Sequence, residues 1–266
     1  MYKHGEFLFK SSFETWLAYP LILISTMFLT YSGMFTSSAY TLPFFAPFGV
    51  YIPLLLAVKL GNFEKGIKHL IWWSIIFAGT IFFLTLSDEP TVKLTVIQSA
   101  PFTNEKFMWI KHGIGFSFKQ YSLSTIIEYF IICISTLVSG GVIGLLVISR
   151  DLAKMGYYVG LLSYYSDDAA VSTLLAWEIW TVIKLTGFLY CIMALSSYFL
   201  YWIMDFELEK RKIMKYFIIG TLMVFSSIFF WAVFSNPTQN FLNKCAANNV
   251  PVSKIPADEE TTDFKF

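Results

Sequence analysis

Residues 124–149 read STIIEYFIICISTLVSGGVIGLLVIS, and after a charged turn (RDLAK, 150–154) residues 169–204 read AAVSTLLAWEIWTVIKLTGFLYCIMALSSYFLYWIM. These two apolar runs decide the class of the fold. A helix of about 20 apolar residues crosses the roughly 30 Å hydrocarbon core of a bilayer. The first run carries one acid, Glu128; the second carries Glu178 and Lys184. A charge set in apolar sequence is costly unless it is paired or turned toward a polar cavity, so these residues are the first candidates for function.

The rest of the chain repeats the pattern. Of its 266 residues 56% are hydrophobic and only 14% are charged, where a soluble domain carries about a quarter charged residues. Apolar runs at 17–35, 42–60, 70–86, 124–149, 185–204 and 213–234 predict an all-α integral membrane protein of about six transmembrane helices. Residues 1–16 read as an interfacial, aromatic lead-in, 87–123 as a soluble loop, and 235–266 as a polar C-terminal tail, with Asn236–Pro237 ending the last span. The first run is too long for the apolar part of a signal peptide and reads as a retained span. The run at 42–60 contains Pro43, Pro47 and Pro53, so it is either a kinked span or a re-entrant hairpin, and the kinked span is preferred. In the loop, alternation over 91–97 suggests a short strand. The basic, aromatic stretch 106–118 suits a segment lying on the membrane surface.

The 36 residues of 169–204 are too long for one perpendicular span, because a helix of that length measures about 54 Å. An interfacial elbow helix over 170–184 is therefore expected before span five. It puts Trp177 and Trp180 at headgroup depth, with Lys184 reaching to the interface. If the span begins earlier, Lys184 lies near mid-bilayer and needs a partner. At 100° per residue Glu128, Ser135 and Ser139 form one polar stripe on span four, a candidate intramembrane polar site together with Lys184. Gly140 and Gly144, a GxxxG spacing, lie on another side as a candidate helix-packing surface.

The layout of 154–160 followed by 174–187 is similar to the glycine-then-elbow arrangement of stage II sporulation protein M-like proteins. Met155–Gly156 stands where that family has Asn-Gly, and Trp177–Glu178–Ile179 where it has Pro-His-Gly, so no membership follows. About six spans in a chain of this size is also similar to membrane subunits of ABC-type transporters.

Motifs for chemistry are missing. His4, His69 and His112 stand far apart, with no zinc or haem spacing. Cys133, Cys191 and Cys245 form neither a metal motif nor a disulfide framework. No phosphate-binding lysine loop, nucleophile elbow or dinucleotide fingerprint is present, so neither a cofactor nor an enzymatic activity is expected. A formal net charge of +1 gives no reason to expect nucleic acid. Lys and Arg divide almost evenly between the two sides under either topology. Six spans is the simpler arrangement, with both termini in the cytoplasm of a multi-pass plasma- or inner-membrane protein.

The functional expectation is a non-catalytic polytopic subunit of a larger membrane complex, its partners being the bilayer and other membrane subunits. Interfacial aromatics, small-residue faces and an acidic end (Asp258, Glu259, Glu260, Asp263) motivate it. The alternative is a small transporter or permease with a polar pathway along Glu128, Ser135 and Ser139.

Overall fold

The computed structural model describes residues 5–35, 44–96, 99–113, 117–204 and 210–246, without the side chains of 5–17, 35, 99–100, 204 and 246. Those residues form ten helices and no strand: α1 (Gly5–Phe35), α2 (Phe48–Lys59), α3 (Phe63–Ser87), α4 (Glu89–Thr95), α5 (Ser99–His112), α6 (Phe118–Ser139), α7 (Val142–Tyr165), α8 (Ala169–Ala176), α9 (Ile179–Met204) and α10 (Lys210–Ala246). Four of them, α3, α6, α9 and α10, are long and apolar enough to cross a membrane. Their outward faces are apolar: Phe83 is 69% exposed and Trp202 87%. A surface of that kind suits hydrocarbon better than water, and the chain is a multi-pass α-helical membrane protein.

The expected six full-length spans are not all present. Two further apolar stretches are helical: Ala18–Met34, the part of the 31-residue α1 whose side chains are described, and the shorter α2 (Phe48–Lys59). At 1.5 Å per residue the 12 residues of α2 extend about 18 Å, too little for the core. Proline explains this: Pro47 caps α2 and Pro53 lies within it. The short helix packs on α1, where a Cβ at Gly49 would stand 2.7 Å from Thr26 Oγ1. Trp73 Nε1 on α3 donates to the carbonyl of Ala46 just before α2. Residues 36–43, which contain Pro43, lie outside the described residues.

The stretch 124–149 is not one span. It breaks at Gly140 (φ 64°) and Gly141 (φ 100°), both in the left-handed region that favours glycine. The break forces a close hairpin between α6 and α7. A Cβ on Gly140 would meet Phe199 at 2.5 Å, and one on Gly141 would press into Ser196 Oγ, so α9 covers the turn. Gly144 lies in the first turn of α7 against Thr136 and Ile192. Gly140 and Gly144 are thus a turn and a close approach, and not one ridge on one helix. Farther along α7, Gly156 and Gly160 bring its backbone onto α3 at Ala78, Phe82 and Thr85.

The described residues of the loop expected at 87–123 are mostly helical, with one face buried and the other exposed. Asp88 caps α4 by accepting from the Thr91 amide, and Pro90 occupies its first turn, so the expected strand at 91–97 is a helix over Glu89–Thr95. In α5, Phe107, Trp109 and Ile110 are buried instead of lying on a membrane surface. Nor does Pro237 stop the last helix. α10 runs through it to Ala246, and Gln239 and Asn243 donate to the carbonyls of Ile110 and Lys111 at the end of α5. The acidic positions 258–263 lie outside the described residues.

The elbow is shorter than expected. α8 has 8 residues, and the chain turns at Trp177–Glu178, Glu178 having φ 47°. α9 therefore starts at Ile179 and carries Lys184 inside it. Trp180 is not a headgroup anchor; it is 1% exposed and meets Trp109 edge to face at 6.4 Å. α9 and α10 cross backbone to backbone, since a Cβ on Gly187 would stand 2.8 Å from the Gly220 carbonyl oxygen, the small-residue contact that suits helices in lipid.

Candidate functional site: a charged cavity in the helical bundle

Between α5, α6, α7 and α9 lies a cavity of about 220 Å³ with an unusual lining for a membrane domain. α5 supplies Glu105 and Lys106, α6 supplies Glu128, α7 supplies Arg150, Asp151 and Lys154, and α9 supplies Lys184. These charges sit on separate sequence elements, and only the hairpin at Gly140–Gly141 and the turn at Glu178 bring them together.

Two ion pairs organise the site. Lys184 Nζ donates to Glu128 Oε2 at 2.9 Å, across 56 residues, with the two side chains 12% and 24% exposed. The ammonium also lies 5.8 Å from the Tyr121 ring and 6.0 Å from the Phe188 ring. Next to Glu128, the Tyr129 hydroxyl is hydrogen-bonded to Thr221 at 2.9 Å. Thr221 stands about 12 Å into the apolar run of α10 that starts at Ile213, so this pair is level with the interior of that run.

The second pair is closed off. Lys106 Nζ donates to both oxygens of Glu178, at 2.5 and 2.7 Å, and Glu178 also accepts from the Thr181 hydroxyl at 3.0 Å. The side chains are 7% and 0% exposed. The Phe102, Trp109 and Tyr158 rings surround the ammonium at 5.6–5.9 Å. Burial pushes the Lys106 ammonium below the usual lysine range, and the Glu178 carboxylate opposes that shift. The φ of 47° at Glu178 is one that L-residues seldom adopt. Here it aims the carboxylate at α5.

At the wider side Arg150 Nε approaches Asp151 Oδ1 at 3.4 Å. Asp151 Oδ2 is closed to solvent and has no hydrogen-bond partner, so one carboxylate oxygen beside the cavity is unsatisfied.

The sequence-derived candidates divide. Glu128 and Lys184 come together as a pair on the cavity wall. Ser135 and Ser139 do not reach it: Ser135 Oγ donates to the Ile132 carbonyl, and Ser139 Oγ donates to Ser135 O and accepts from the Ile143 amide. Both hydroxyls are committed to their own backbone, so the expected stripe ends at Glu128. The sequence reading missed Lys106, Arg150, Asp151 and Lys154 as site residues. Phe102, Lys106 and Trp109 recur at helical spacing, a signal that was available for α5. No group of three or more metal-ligating side chains occurs among the described residues.

On the apolar side of the α7–α9 seam lies a second cavity, about 410 Å³, between α3, α7, α8 and α9. Leu185 lines both spaces. The chain matches no known family model, and no curated protein and no solved structure matches it.

Proposed function

We propose that this multi-pass membrane protein binds a small charged or zwitterionic ligand in the cavity between α5, α6, α7 and α9, as proteins of the transporter class do. The observation that carries this reading is the Lys184–Glu128 pair at 2.9 Å on the cavity wall, level with the interior of α10's apolar run. Ion pairs buried in low dielectric seldom repay their desolvation, so ionisable residues within membrane segments are by default functional. The partly exposed pair can exchange partners with a ligand, whereas Lys106, at the cavity's edge, is held by both oxygens of the buried Glu178 and ties α5 to the start of α9. The ligand path differs from the sequence expectation: it follows Glu128, Lys184 and Asp151, without Ser135 and Ser139. No reaction is assigned to the site.

The test is a thermal-unfolding titration of the purified full chain with a panel of amino acids, inorganic phosphate, dicarboxylates and phospholipid headgroup compounds. A ligand at 100 times its Kd stabilises the folded state by about 2.7 kcal/mol. At least one member is expected to raise the midpoint of the natural chain and not that of the Glu128→Gln/Lys184→Met double variant. A second reading, a non-catalytic subunit of a larger assembly, draws support from the apolar hollow formed by Leu137, Val138, Tyr198, Phe199, Tyr201 and Trp202. A panel without effect, together with foreign chains in stoichiometric amounts in the particle purified gently from its own membrane, would favour that reading.

A further inference from the structure

We infer that the ligand of the charged cavity is an amphiphile, a phospholipid whose head carries both a phosphate and a primary ammonium, with one acyl chain in the apolar cleft beside it. This rests on the binding function proposed above and names its ligand class.

The first argument is adjacency. Leu185 stands as a shared wall of the two spaces, with Lys184 and Thr181 facing the charged cavity and Val182 and Thr186 the cleft. On α7 the same alternation puts Asp151 on the charged side and Leu152 on the apolar side. One molecule lying across this seam would need a charged end and a hydrocarbon end.

The second argument is length and openness. On α3 the cleft extends from Ile71 to Phe82, about 16 Å of helix, which is close to half of a 30 Å hydrocarbon core. Ile75 and Val182 at its rim are 59% and 46% exposed, so it opens to the bilayer side of the bundle. Gly79 lies in this lining with no heavy atom within 4 Å of where its Cβ would stand. A lipid chain can therefore enter sideways.

The third argument is head chemistry. Arg150, Lys154 and Lys184 offer cationic donors to a phosphodiester. The Asp151 carboxylate lines the cavity with its side chain 14% exposed, and its Oδ2, closed to solvent, has no donor. A primary ammonium supplies one, whereas a trimethylated ammonium has no N–H to give.

The test titrates the purified full chain with dihexanoyl phosphatidylethanolamine and dihexanoyl phosphatidylcholine, both below their micelle concentrations, and with glycerophosphoethanolamine and inorganic phosphate, following the thermal midpoint. The ethanolamine lipid is expected to bind most tightly. The choline lipid should be about tenfold weaker, the size of one charge-assisted hydrogen bond, and the chainless compound weaker still. Asp151→Asn should remove the preference for ethanolamine over choline. Gly79→Phe, which fills open space in the cleft, should weaken the lipid about tenfold without changing glycerophosphoethanolamine binding. If phosphate or glycerophosphoethanolamine binds as tightly as the lipid, or if Gly79→Phe has no effect, the amphiphile assignment fails while a soluble-ligand function survives. Equal binding of the two lipids removes the ammonium assignment. If none of the four binds, and the wider solute panel is also without effect, the proposed function fails with it.

Discussion

Lys106 and Glu178 are 72 residues apart in sequence and 2.5 Å apart in space, and their pair joins α5 to the turn at which α9 begins. Lys106 borders the cavity with its side chain 7% exposed, and Glu178 is fully buried. Removing one leaves the other as a buried charge, which costs about 3–5 kcal/mol, whereas replacing both with apolar residues is far cheaper. Lys106→Met and Glu178→Gln are each expected to lower the denaturant midpoint strongly, and Lys106→Met/Glu178→Leu to recover most of the loss. Equal loss in all three variants would contradict a pair that acts as a unit.

The Glu128–Lys184 pair should behave differently, because its side chains are more exposed, at 24% and 12%. A double-mutant cycle with Glu128→Gln and Lys184→Met is expected to give a coupling of about 1–3 kcal/mol. The charge-reversed double variant, Glu128→Lys/Lys184→Glu, should fold with near-natural stability. Additive single effects in unfolding titrations would show that the pair carries no stability.

Glycine has two distinct roles in this bundle. Gly141→Ala forces an L-residue to φ 100° and pushes its Cβ into Ser196. The backbone term alone is about 1–2 kcal/mol, so the thermal midpoint should fall by several degrees. Gly79→Ala meets nothing and gains about 1 kcal/mol of helix propensity. Its midpoint should rise or stay unchanged.

Topology can be checked by impermeant maleimide labelling in a background without Cys133, Cys191 and Cys245. Asn243 reaches the Lys111 carbonyl, so Lys111→Cys and Lys244→Cys should label from the same side. Phe63 stacks on Tyr216 at 5.4 Å, which puts the start of α3 beside the start of α10. Glu64→Cys should therefore label from the opposite side. Labelling of all three from one side would overturn the crossing of α10.

The apolar runs that hold α3, α9 and α10 were legible because hydrocarbon thickness sets their length. The α6–α7 break was not, since apolar residues continue unbroken on both sides of Gly140–Gly141. The adjacent glycines were the only mark of a left-handed turn there. α5 was misread because a helix buried among other helices and one lying on a membrane share the same aromatic and basic composition. Of the site, Glu128 and Lys184 stood out as charges in apolar sequence. Arg150, Asp151 and Lys154 looked like a solvated turn, and only the hairpin turns them inward. At Pro237, the hydrogen bonds from Gln239 and Asn243 to α5 hold α10 beyond a residue that ordinarily ends a helix.

The 37 residues of α10 make a rod of about 55 Å, well beyond the thickness of a hydrocarbon core. Its far end is tied to α5, and α5 bears Lys106 on the cavity wall. Only the apolar run of α10, about 33 Å over residues 213–234, has to match that thickness. The remainder carries Gln239 and Asn243 past it to α5, so a change in the direction of α10 must either move α5 or break the two hydrogen bonds between them.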